Sequence, residues 1–591
     1  MSLLCLVLSL ATTVIAIKVD FPCSNEIPKS LYHIWTSTGF SPEARNSTNW
    51  TWPLNLTRDE RLGLALIGSL RGGALTHVRI HWLFDFITYN HDSAEETFNF
   101  SALDSTMSLL HQHNLSPSFE LMGNPSGRLL LDDQMDQQLL RSLVLQAISR
   151  YQSKFGSDGV QLWRWETWNE PDLRMYWNAS LPAYISYLKT VVEALTQAGL
   201  KVGGPAGLFR PKHRICWHAL DEFAHLSQPE KKISFLSFHR KGKNSADEVI
   251  AGTQGLIKAI KFRYPNLDSI PISNDEADPL SGWWRPCDWH ADVRYAAMVV
   301  RTAIRLLDDV AFLSNDNAFL PHAPHYFTQR TLLARFQQSE SSTHFFLKPV
   351  AISLVLLSLL GEKLVPFTIN ESDDRLTIVS GSSFSDDGAF EGATVISFAN
   401  ETKECPYEAI TVDLALHCEG SRCADDARYA LFLLDNIQTN PERVWRERGS
   451  PAMPDAVLRR RMRDAQGPFR VVTSAPLTTS LTLTLRVPSV ALVQVCSKRE
   501  AMPGAPTNLT ALHPAPGETL LVWSDLEVGT RCLLGYEIYS RNSSDATWTK
   551  LTQGSILTQW HHDAIEYEYQ VHAVDLWKRH GYKSSIVTRR D

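Results

Sequence analysis

Short apolar runs alternate with longer helical stretches from residue 31 to residue 360 of the 591-residue chain. Apolar residues recur at the helical spacing i, i+3, i+4 in Gln138–Tyr151, Ala183–Gln197 and His290–Leu307. Eight strands alternating with such helices over about 330 residues predict an α/β fold, the (β/α)8 or TIM barrel. The runs predicted as strands are Tyr32–Trp35, His77–Trp82, Ser118–Met122, Leu162–Asn169, Lys201–Gly204, Ile233–His239, Ile270–Glu276 and Ala311–Asp316.

Beyond residue 362 the chain has short strand candidates without long helices, which predicts a β-sandwich. A polar helix predicted at Asp455–Ala465 carries four arginines, for which we expect a solvated face, with contact to an acidic partner as the alternative. After the Pro-containing linker Met502–Pro506, the spacing of Trp523 and the later strands resembles a fibronectin type III module. The sandwich strand candidates are Arg375–Ser380, Gly392–Ser397, Arg428–Leu434 and Leu481–Val495.

These patterns divide the chain into five segments. Residues 1–16 are predicted as a signal peptide, and residues 17–30 as an N-terminal segment that could join the β-sandwich. The catalytic barrel is assigned to residues 31–362, the β-sandwich to 363–500 and the fibronectin type III-like module to 501–591.

The first sixteen residues indicate a secreted protein. Leu3–Leu10 is apolar, and the Val14-x-Ala16 ending supplies the small residues that signal peptidase requires. Ten Asn-x-Ser/Thr sequons and an even number of cysteines after removal of Cys5 fit an oxidising compartment. The glycosylation candidates are Asn99, Asn178 and Asn400, and Cys496 with Cys532 is a disulfide candidate.

Composition excludes several classes of protein. The chain is 44% apolar and 20% charged, so wholesale disorder is not expected. A formal charge of −7 does not favour a nucleic-acid partner. No uninterrupted apolar stretch reaches the length of a membrane span; the nearest, Phe345–Leu360, contains Lys348 and Pro349 and predicts a buried helix. The number of subunits stays open.

Two carboxylates at predicted strand ends carry the chemistry. Glu170 precedes the final proline of the motif Trp165-Glu-Thr-Trp-Asn-Glu-Pro171, and a Glu walled by Trp would be desolvated, which raises its pKa and suits a general acid. Glu276 ends the seventh predicted strand, where a carboxylate can act as a nucleophile. The alternatives are a surface loop for the first motif, and for the second a cation site or a helix cap; a nearby His is lacking, which disfavours a transition metal.

Strands four and seven of a barrel end on the same face, so the two glutamates can approach each other across its mouth. A separation of about 5–5.5 Å predicts retention of anomeric configuration, and about 6.5–9.5 Å predicts inversion.

Several long motifs resemble the alpha-L-iduronidases, a group within glycoside hydrolase family 39 of clan A. The resemblance extends over nearly the whole chain, including the Val522-Trp-Ser-Asp stretch of the last module. The matching motifs are His33–Phe40, His77–Trp82, Phe119–Gly123, Glu166–Asp172, His239–Gly242, Asn274–Trp283 and Leu313–Leu320.

The resemblance implies a role for each matching residue. Glu170 matches the family's acid/base, Glu276 its nucleophile, and Asn169 the residue that hydrogen-bonds the 2-hydroxyl. Arg79 and His239 match supporting positions, and Arg79, two residues before His81, could orient Glu276. The positions that contact a uronate ring are His81, Lys241, Gly282, Asp316 and Arg330.

The expected function is a retaining exo-glycosidase that removes terminal alpha-L-iduronate from dermatan sulfate and heparan sulfate fragments in the lysosome. Its partner is a glycosaminoglycan oligosaccharide, and no metal or organic cofactor is expected. Two alternatives stay open: a clan relative that acts on a neutral sugar, such as a beta-xylosidase, and a carbohydrate-binding glycoprotein that has lost catalysis. Lys241 and Arg330 favour an anionic substrate, because a carboxylate needs cationic or N–H donors.

Overall fold

Eight parallel strands close into a barrel in the first part of the chain. They pair in chain order, and a parallel bridge between Ser37 and Ser314 joins the last strand to the first. The computed structural model describes residues 14–21, 29–42, 55–90, 97–127, 136–282, 285–315, 317, 320–321, 324–401, 408–418, 426–552 and 554–588. The barrel strands are β1 Ser37–Phe40, β2 His77–Ile80, β3 Ser116–Glu120, β4 Arg164–Glu166, β5 Val202–Gly207, β6 Ile233–Phe238, β7 Ile272–Asn274 and β8 Phe312–Leu313.

Helices surround the barrel, and their starts carry recognisable caps. Thr57 and Glu60 form a capping box at the first helix, and Ser180 and Ser245 cap two others by accepting backbone N–H bonds. The helices are α1 Arg58–Gly68, α2 Ser101–Gln112, α3 Gln137–Phe155, α4 Leu181–Gln197, α5 Ile215–His225, α6 Ala246–Arg263, α7 Val293–Arg305 and α8 Pro349–Ser358; a short helix, Ser157–Gln161, precedes β4.

The predicted barrel is confirmed, with a shift in its first strand. Tyr32–Trp35 was predicted as that strand, but Tyr32 is 73% exposed and the strand is Ser37–Phe40. The residues before Ser37 form a turn that buries Ile34 and Trp35 in the core, so their apolar character reflects packing rather than strand pairing. The other seven predicted runs overlap the observed strands.

Two further differences occur at prolines. The buried segment predicted as one helix at Phe345–Leu360 is a strand, Ser342–Leu347, followed by α8, which begins at Pro349. Proline suits the first turn of a helix, because its missing N–H would have no intrahelical partner there. Leu481–Val495 is two strands, Ser480–Arg486 and Ser489–Cys496, separated by Pro488, which cannot donate to a ladder.

The β-sandwich packs two sheets around a separate apolar core. One sheet contains Val14–Phe21, which pairs in parallel with Ala409–Cys418, together with Phe367–Ile369 and Ser480–Arg486. This first strand begins two residues before Ala16, and cleavage near Ala16 stays a prediction. The other sheet contains Lys363–Leu364, Leu376–Phe384, Phe390–Phe398, Ser489–Cys496, Arg428–Leu434 and Phe469–Pro476.

The last module consists of two antiparallel sheets around Trp523 and Tyr536. A disulfide joins Cys496 of the β-sandwich to Cys532 of this module, as the sequence suggested. Its strands are Thr507–Leu512, Thr519–Ser524 and Gln559–His562 in one sheet, and Leu533–Arg541, Thr549–Lys550, Glu568–Asp575, His580–Lys583 and Val587–Thr588 in the other.

The arginine-rich helix faces protein. It spans Ala456–Asp464, and Arg459 and Arg463 pair with Glu518 of the last module at 2.7 and 3.4 Å. Arg460 pairs with Asp563 of the same module at 2.6 Å. The acidic partner left as the alternative is therefore this chain's own C-terminal module, and the expected solvated face is wrong for Arg459 and Arg463.

In the described part of the chain, no helix combines the length and the apolarity that crossing a bilayer would require.

Removing the disulfide should loosen the last module. Cys496 and Cys532 are 36 residues apart, so replacing both by Ser is expected to lower the free energy of unfolding by about 3–4 kcal/mol in the chain-entropy description. Thermal melting and limited proteolysis would measure the loss, with reduced wild-type protein as the control. A variant that melts and resists protease like the oxidised wild type would show that the non-covalent contacts, among them those of the arginine-rich helix, are enough to hold the module.

Candidate active site

The carboxyl ends of five barrel strands bring ten polar side chains into one buried cluster. Nine of them are buried, and the tenth, Lys241, has a side chain only 14% exposed. Because these ends meet at one face of a barrel, residues far apart in sequence become neighbours. The cluster consists of Arg79, His81, Glu120, Glu166, Asn169, Glu170, His239, Lys241, Asp275 and Glu276.

Backbone pairing beyond the strand ends fixes the two predicted catalytic glutamates. The N–H of Glu170 donates to Ala206 O at 2.8 Å, and the N–H of Ala277 donates to Ser314 O at 2.8 Å. Glu170 has a φ of +42°, in the left-handed region that a residue with a Cβ rarely adopts. Such strain, of order 1–3 kcal/mol, is typical of functional positions and here directs the side chain into the cluster.

Glu170 and Glu276 face each other across His239. One carboxylate oxygen of each and one ring nitrogen of His239 lie within 4.8 Å of one another. The Nδ1 atom of His239 is 2.8 Å from Glu170 Oε1 and 3.3 Å from Glu276 Oε2. Carboxylate oxygens this close fit the closely spaced pair of a retaining glycosidase.

The surroundings of Glu276 favour its ionised form. Burial alone would raise its pKa, but His239, Lys241, Arg79 and His81 outweigh burial and hold the pKa well below its usual value. Arg79 donates to Glu276 Oε1 at 2.9 Å, and Lys241 Nζ contacts Oε2. A carboxylate that stays anionic is what a nucleophile requires.

Arg79 forms hydrogen bonds and ion pairs with several members of the cluster. Its guanidinium donates to Glu166 at 2.6 Å and to the Asn169 side-chain oxygen at 2.8 Å, in addition to Glu276. It also pairs with Glu120 at 2.9 Å. Its side chain is 1% exposed, and the surrounding carboxylates raise the pKa of Arg79 although burial opposes this. Arg79 thereby joins β2, β3, β4 and the end of β7.

The pKa of Glu170 differs from the expected direction. The sequence predicted a raised pKa from desolvation by Trp165 and Trp168, but Trp165 packs into the core against Phe119 with ring centroids 4.8 Å apart. Burial and Glu276 do raise the pKa of Glu170, yet Lys241 and the hydrogen bond from His239 outweigh them and lower it.

Lys241 lies between the two glutamates. Its Nζ contacts Glu276 Oε2 and is 4.0 Å from Glu170 Oε1. The expectation that Glu276 lacks a nearby His is wrong, because the barrel brings His239 from the end of β6 to 3.3 Å from it. Two carboxylates and an imidazole this close are a set that could hold a metal ion. The ammonium group of Lys241 already supplies a positive charge beside both carboxylates, so these residues are arranged around a lysine cation.

The remaining predicted residues lie around the β7 loop or outside the described chain. Arg330 donates to Leu280 O at 3.0 Å and its Nε is 3.3 Å from Asp278 Oδ2. Gly282 follows with a φ of +85°, which explains a glycine in this turn. Asp316 lies outside the described residues. The structure thus gathers His81, Asn169 and Lys241 with the glutamates and holds Arg330 against the neighbouring loop.

Four acidic residues of the site were given no role from the sequence. Glu120 and Glu166 contact Arg79, Asp275 is buried beneath it, and Asp278 accepts a hydrogen bond from Tyr295 at 2.6 Å. The available signal was a carboxylate at the end of an apolar barrel strand, which applies to Glu120 and Glu166 as it does to Glu276.

Comparison with known proteins shows the family of the chain. The family model described as glycosyl hydrolases family 39 matches residues 17–482, and the model described as the alpha-L-iduronidase C-terminal domain matches residues 507–591. Alpha-L-iduronidase of Homo sapiens is 34% identical over 594 residues, which cover 93% of this chain and 90% of the human protein.

Two further matches have lower sequence identity. A beta-xylosidase of Caldicellulosiruptor saccharolyticus is 23% identical over 420 residues, covering 64% of this chain and 78% of that enzyme. A solved structure of a bacterial orthologue of human alpha-L-iduronidase has a TM-score of 0.82 and 24% identity, covering 98% of this chain and 100% of the bacterial one. The latter shows that the fold extends over the whole chain.

The environment of His81 makes stability depend on pH. Burial would lower its pKa, but Glu120, whose Oε2 is 2.8 Å from Nδ1, outweighs burial and raises the pKa. The stabilisation is fully present below pH 6.5, the ordinary value, and is lost as the pH rises through the raised value. His81→Gln should therefore lower the melting temperature more at about pH 5 than at about pH 8.

His77, at the start of β2, provides the matched control. Burial and Arg164 outweigh the hydrogen bond to Leu162 O and lower the pKa of His77 to about 3, so the ring is neutral at both pH values. The melting deficit of His77→Gln should be similar at both. An equal deficit for His81→Gln at the two pH values would contradict a charged His81–Glu120 pair.

Proposed function

The chain belongs to family 39 of the glycosyl hydrolases and is a glycoside hydrolase, and we propose that it is a retaining exo-glycosidase of terminal alpha-L-iduronic acid. The observation that carries the proposal is Lys241 between two buried glutamates within 4.8 Å of each other. The relatives that match along almost the whole chain bear the name alpha-L-iduronidase. We further propose dermatan sulfate and heparan sulfate fragments as the substrates.

In the first step, Glu276 attacks the anomeric carbon and forms a covalent glycosyl-enzyme. Its lowered pKa keeps it anionic in acid, where the reaction needs both an anionic nucleophile and a protonated acid. Asn169, fixed by Arg79, would accept or donate a hydrogen bond at the 2-hydroxyl. In the second step, water attacks the same carbon and releases iduronate with net retention.

Glu170 would protonate the leaving oxygen and then deprotonate the water. Lys241 and His239 lower its pKa in the free enzyme, so substrate binding must change this environment. A uronate carboxylate would draw the Lys241 ammonium away from both glutamates, while the leaving sugar excludes water. Both effects favour the protonated form of Glu170. An acidic compartment, such as the lysosome, would favour it further.

The uronate carboxylate would be recognised by Lys241, Arg330 and the Gly282 amide. A carboxylate binds best to charge-assisted N–H donors. Asp278 and Leu280 O hold the Arg330 guanidinium beside the loop that carries Gly282. His81 contributes from the position just after β2, and Asp316 would accept hydrogen bonds from sugar hydroxyls.

The sequence features support passage through the secretory pathway to the lysosome. Asn99 and Asn178 are exposed and Asn400 is half-buried, so all three have surface that a glycan requires. The N-terminal apolar segment supplies the signal peptide. Glycosylation, signal cleavage and lysosomal residence are part of the proposal.

A neutral-sugar glycosidase is the second candidate, favoured by the beta-xylosidase relative. The same two glutamates would serve it. The discriminating feature is Lys241, since a neutral pentose offers no charge to take the ammonium from Glu276. A catalytically inactive binding glycoprotein would need neither the strained backbone of Glu170 nor the burial of both glutamates.

Hydrolysis of a fluorogenic alpha-L-iduronide, beside the matching beta-xyloside, would test the function. We expect cleavage of the iduronide alone, with an optimum below neutral pH. Glu276→Gln and Glu170→Gln should each lower turnover by at least about 100-fold, because each removes a group that acts in the transition state. Cleavage of the xyloside alone would contradict the uronate specificity, and wild-type turnover by Glu276→Gln would overturn the assigned nucleophile.

Lys241→Met would test the recognition of the carboxylate. The variant should lose about 10- to 100-fold in kcat/KM on the iduronide, the value of a charged hydrogen bond. The loss should be smaller on the matching alpha-L-idoside, which has a hydroxymethyl group instead, because only the effect of Lys241 on the ionisation of Glu276 is lost there. Lys243→Met, at an exposed position two residues along the chain, is the matched control. Equal losses on both substrates would show that Lys241 does not recognise the carboxylate.

A further inference from the structure

Two neighbouring carboxyl groups lie beneath the nucleophile without enough hydrogen donors. Asp275 is 2% exposed and Glu166 is 1% exposed. Among the described residues, no N–H or O–H group donates a hydrogen bond to either oxygen of Asp275 or to Oε1 of Glu166. A buried oxygen without a donor costs about 1–3 kcal/mol, so this arrangement requires an explanation.

The charged groups around Asp275 come from four strands, and none donates to it at hydrogen-bond distance. Arg79 Nε is 3.6 Å from Oδ2 and directs its hydrogen to Glu166 Oε2 at 2.6 Å. His239 Nε2 is 3.8 Å from Oδ1. The titratable and charged groups that face Asp275 are Arg79 from β2, Arg164 and Glu166 from β4, His239 after β6 and its own neighbour Glu276.

The two carboxyl groups meet at the same atom, since Arg79 Nε is 2.6 Å from Glu166 Oε2 and 3.6 Å from Asp275 Oδ2, and a hydrogen bond between them would satisfy oxygens that no other group satisfies. Two carboxylate anions cannot form such a bond, since both would be acceptors, and like charges at this distance repel strongly in a buried site. One proton between them supplies the missing donor. It also leaves one anion, Glu166, for the guanidinium of Arg79.

We propose that Asp275 is a positioning residue that works in its protonated form, donating its O–H to Glu166. Glu166 is then the anion that holds Arg79 at Nε. Arg79 in turn keeps its other N–H groups on Asn169 and Glu276. Asp275 directly precedes Glu276, so a neutral group there also spares the nucleophile a second negative charge beside it.

The directions of the two pKa shifts agree with this assignment. Burial and the neighbouring Glu166 carboxylate raise the pKa of Asp275 well above its usual value. Burial acts on Glu166 in the same sense, but Arg79 and hydrogen bonds from Asp275 and Ser237 outweigh it and lower the pKa to about 2. The pair therefore holds its proton on Asp275.

Asp275→Asn tests the proposal because an amide has the shape of the protonated acid and can donate the same hydrogen bond. A raised carboxyl pKa stabilises the fold below the ordinary value of 3.8, and that stabilisation is lost as the pH rises through the folded value. The amide has no such loss. The melting temperature of Asp275→Asn relative to wild type should therefore rise by about 2–4 °C between about pH 5 and pH 7.

The opposite trend would overturn the proposal. If Asp275 were ionised and paired with Arg79, the variant would lose stability relative to wild type as the pH rises from acid. A variant that fails to fold would also count against it, because the amide is the neutral isostere. Glu166→Gln is the matched comparison: it removes the anion on Arg79 and should be destabilised at both pH values.

Infrared spectroscopy detects the proton on Asp275 directly, and a purely structural role of this residue would give no such signal. The wild-type protein at neutral pH should show the carbonyl band of a protonated carboxylic acid, and Asp275→Asn should lack it. Absence of the band from the wild-type protein would contradict the proposal. Neither measurement uses a substrate, so failure of the iduronidase assignment would leave this test intact.

Discussion

One guanidinium group organises the active site. Arg79 contacts Glu120, Glu166, Asn169 and Glu276, which come from three barrel strands or their ends, and Arg79 itself lies on a fourth. Breaking a buried ion pair typically costs about 3–5 kcal/mol, because the remaining charge has no partner. The position of Glu276, the proposed nucleophile, therefore depends on the closed barrel, which alone brings these strand ends to a single cation.

The cluster contains more carboxyl groups than permanent cations, and this surplus shapes its chemistry. Arg79 and Lys241 hold Glu276 as an anion, and His239 bridges it to Glu170. We propose that Glu170 and Asp275 carry protons, for two different reasons. Substrate binding would shift Lys241 and favour protonation of Glu170, whereas Asp275 keeps its proton permanently through its contact with Glu166.

The two β domains contact segments that precede the barrel strands in sequence. The strand Val14–Phe21 joins the start of the chain to a sheet that is otherwise built after the barrel. Arg71, just before β2, donates to Arg531 O of the last module at 2.9 Å, and the N–H of Gly72 donates to Asp525 at 2.8 Å. The segment that leads into the strand of Arg79 is thus fixed from outside the barrel.

The sequence by itself determined the barrel, the two following β domains and the pair Glu170 and Glu276, because strand-helix alternation and polar strand ends are local patterns. It missed the first strand, since Ser37–Phe40 has few apolar residues and pairs only because its neighbours close the barrel. It also gave the wrong direction for the pKa of Glu170. That direction depends on Lys241 and His239, 71 and 69 residues away in sequence. Such contacts, like the Asp275–Glu166 pair, were decided only when the strands closed and set their ends side by side.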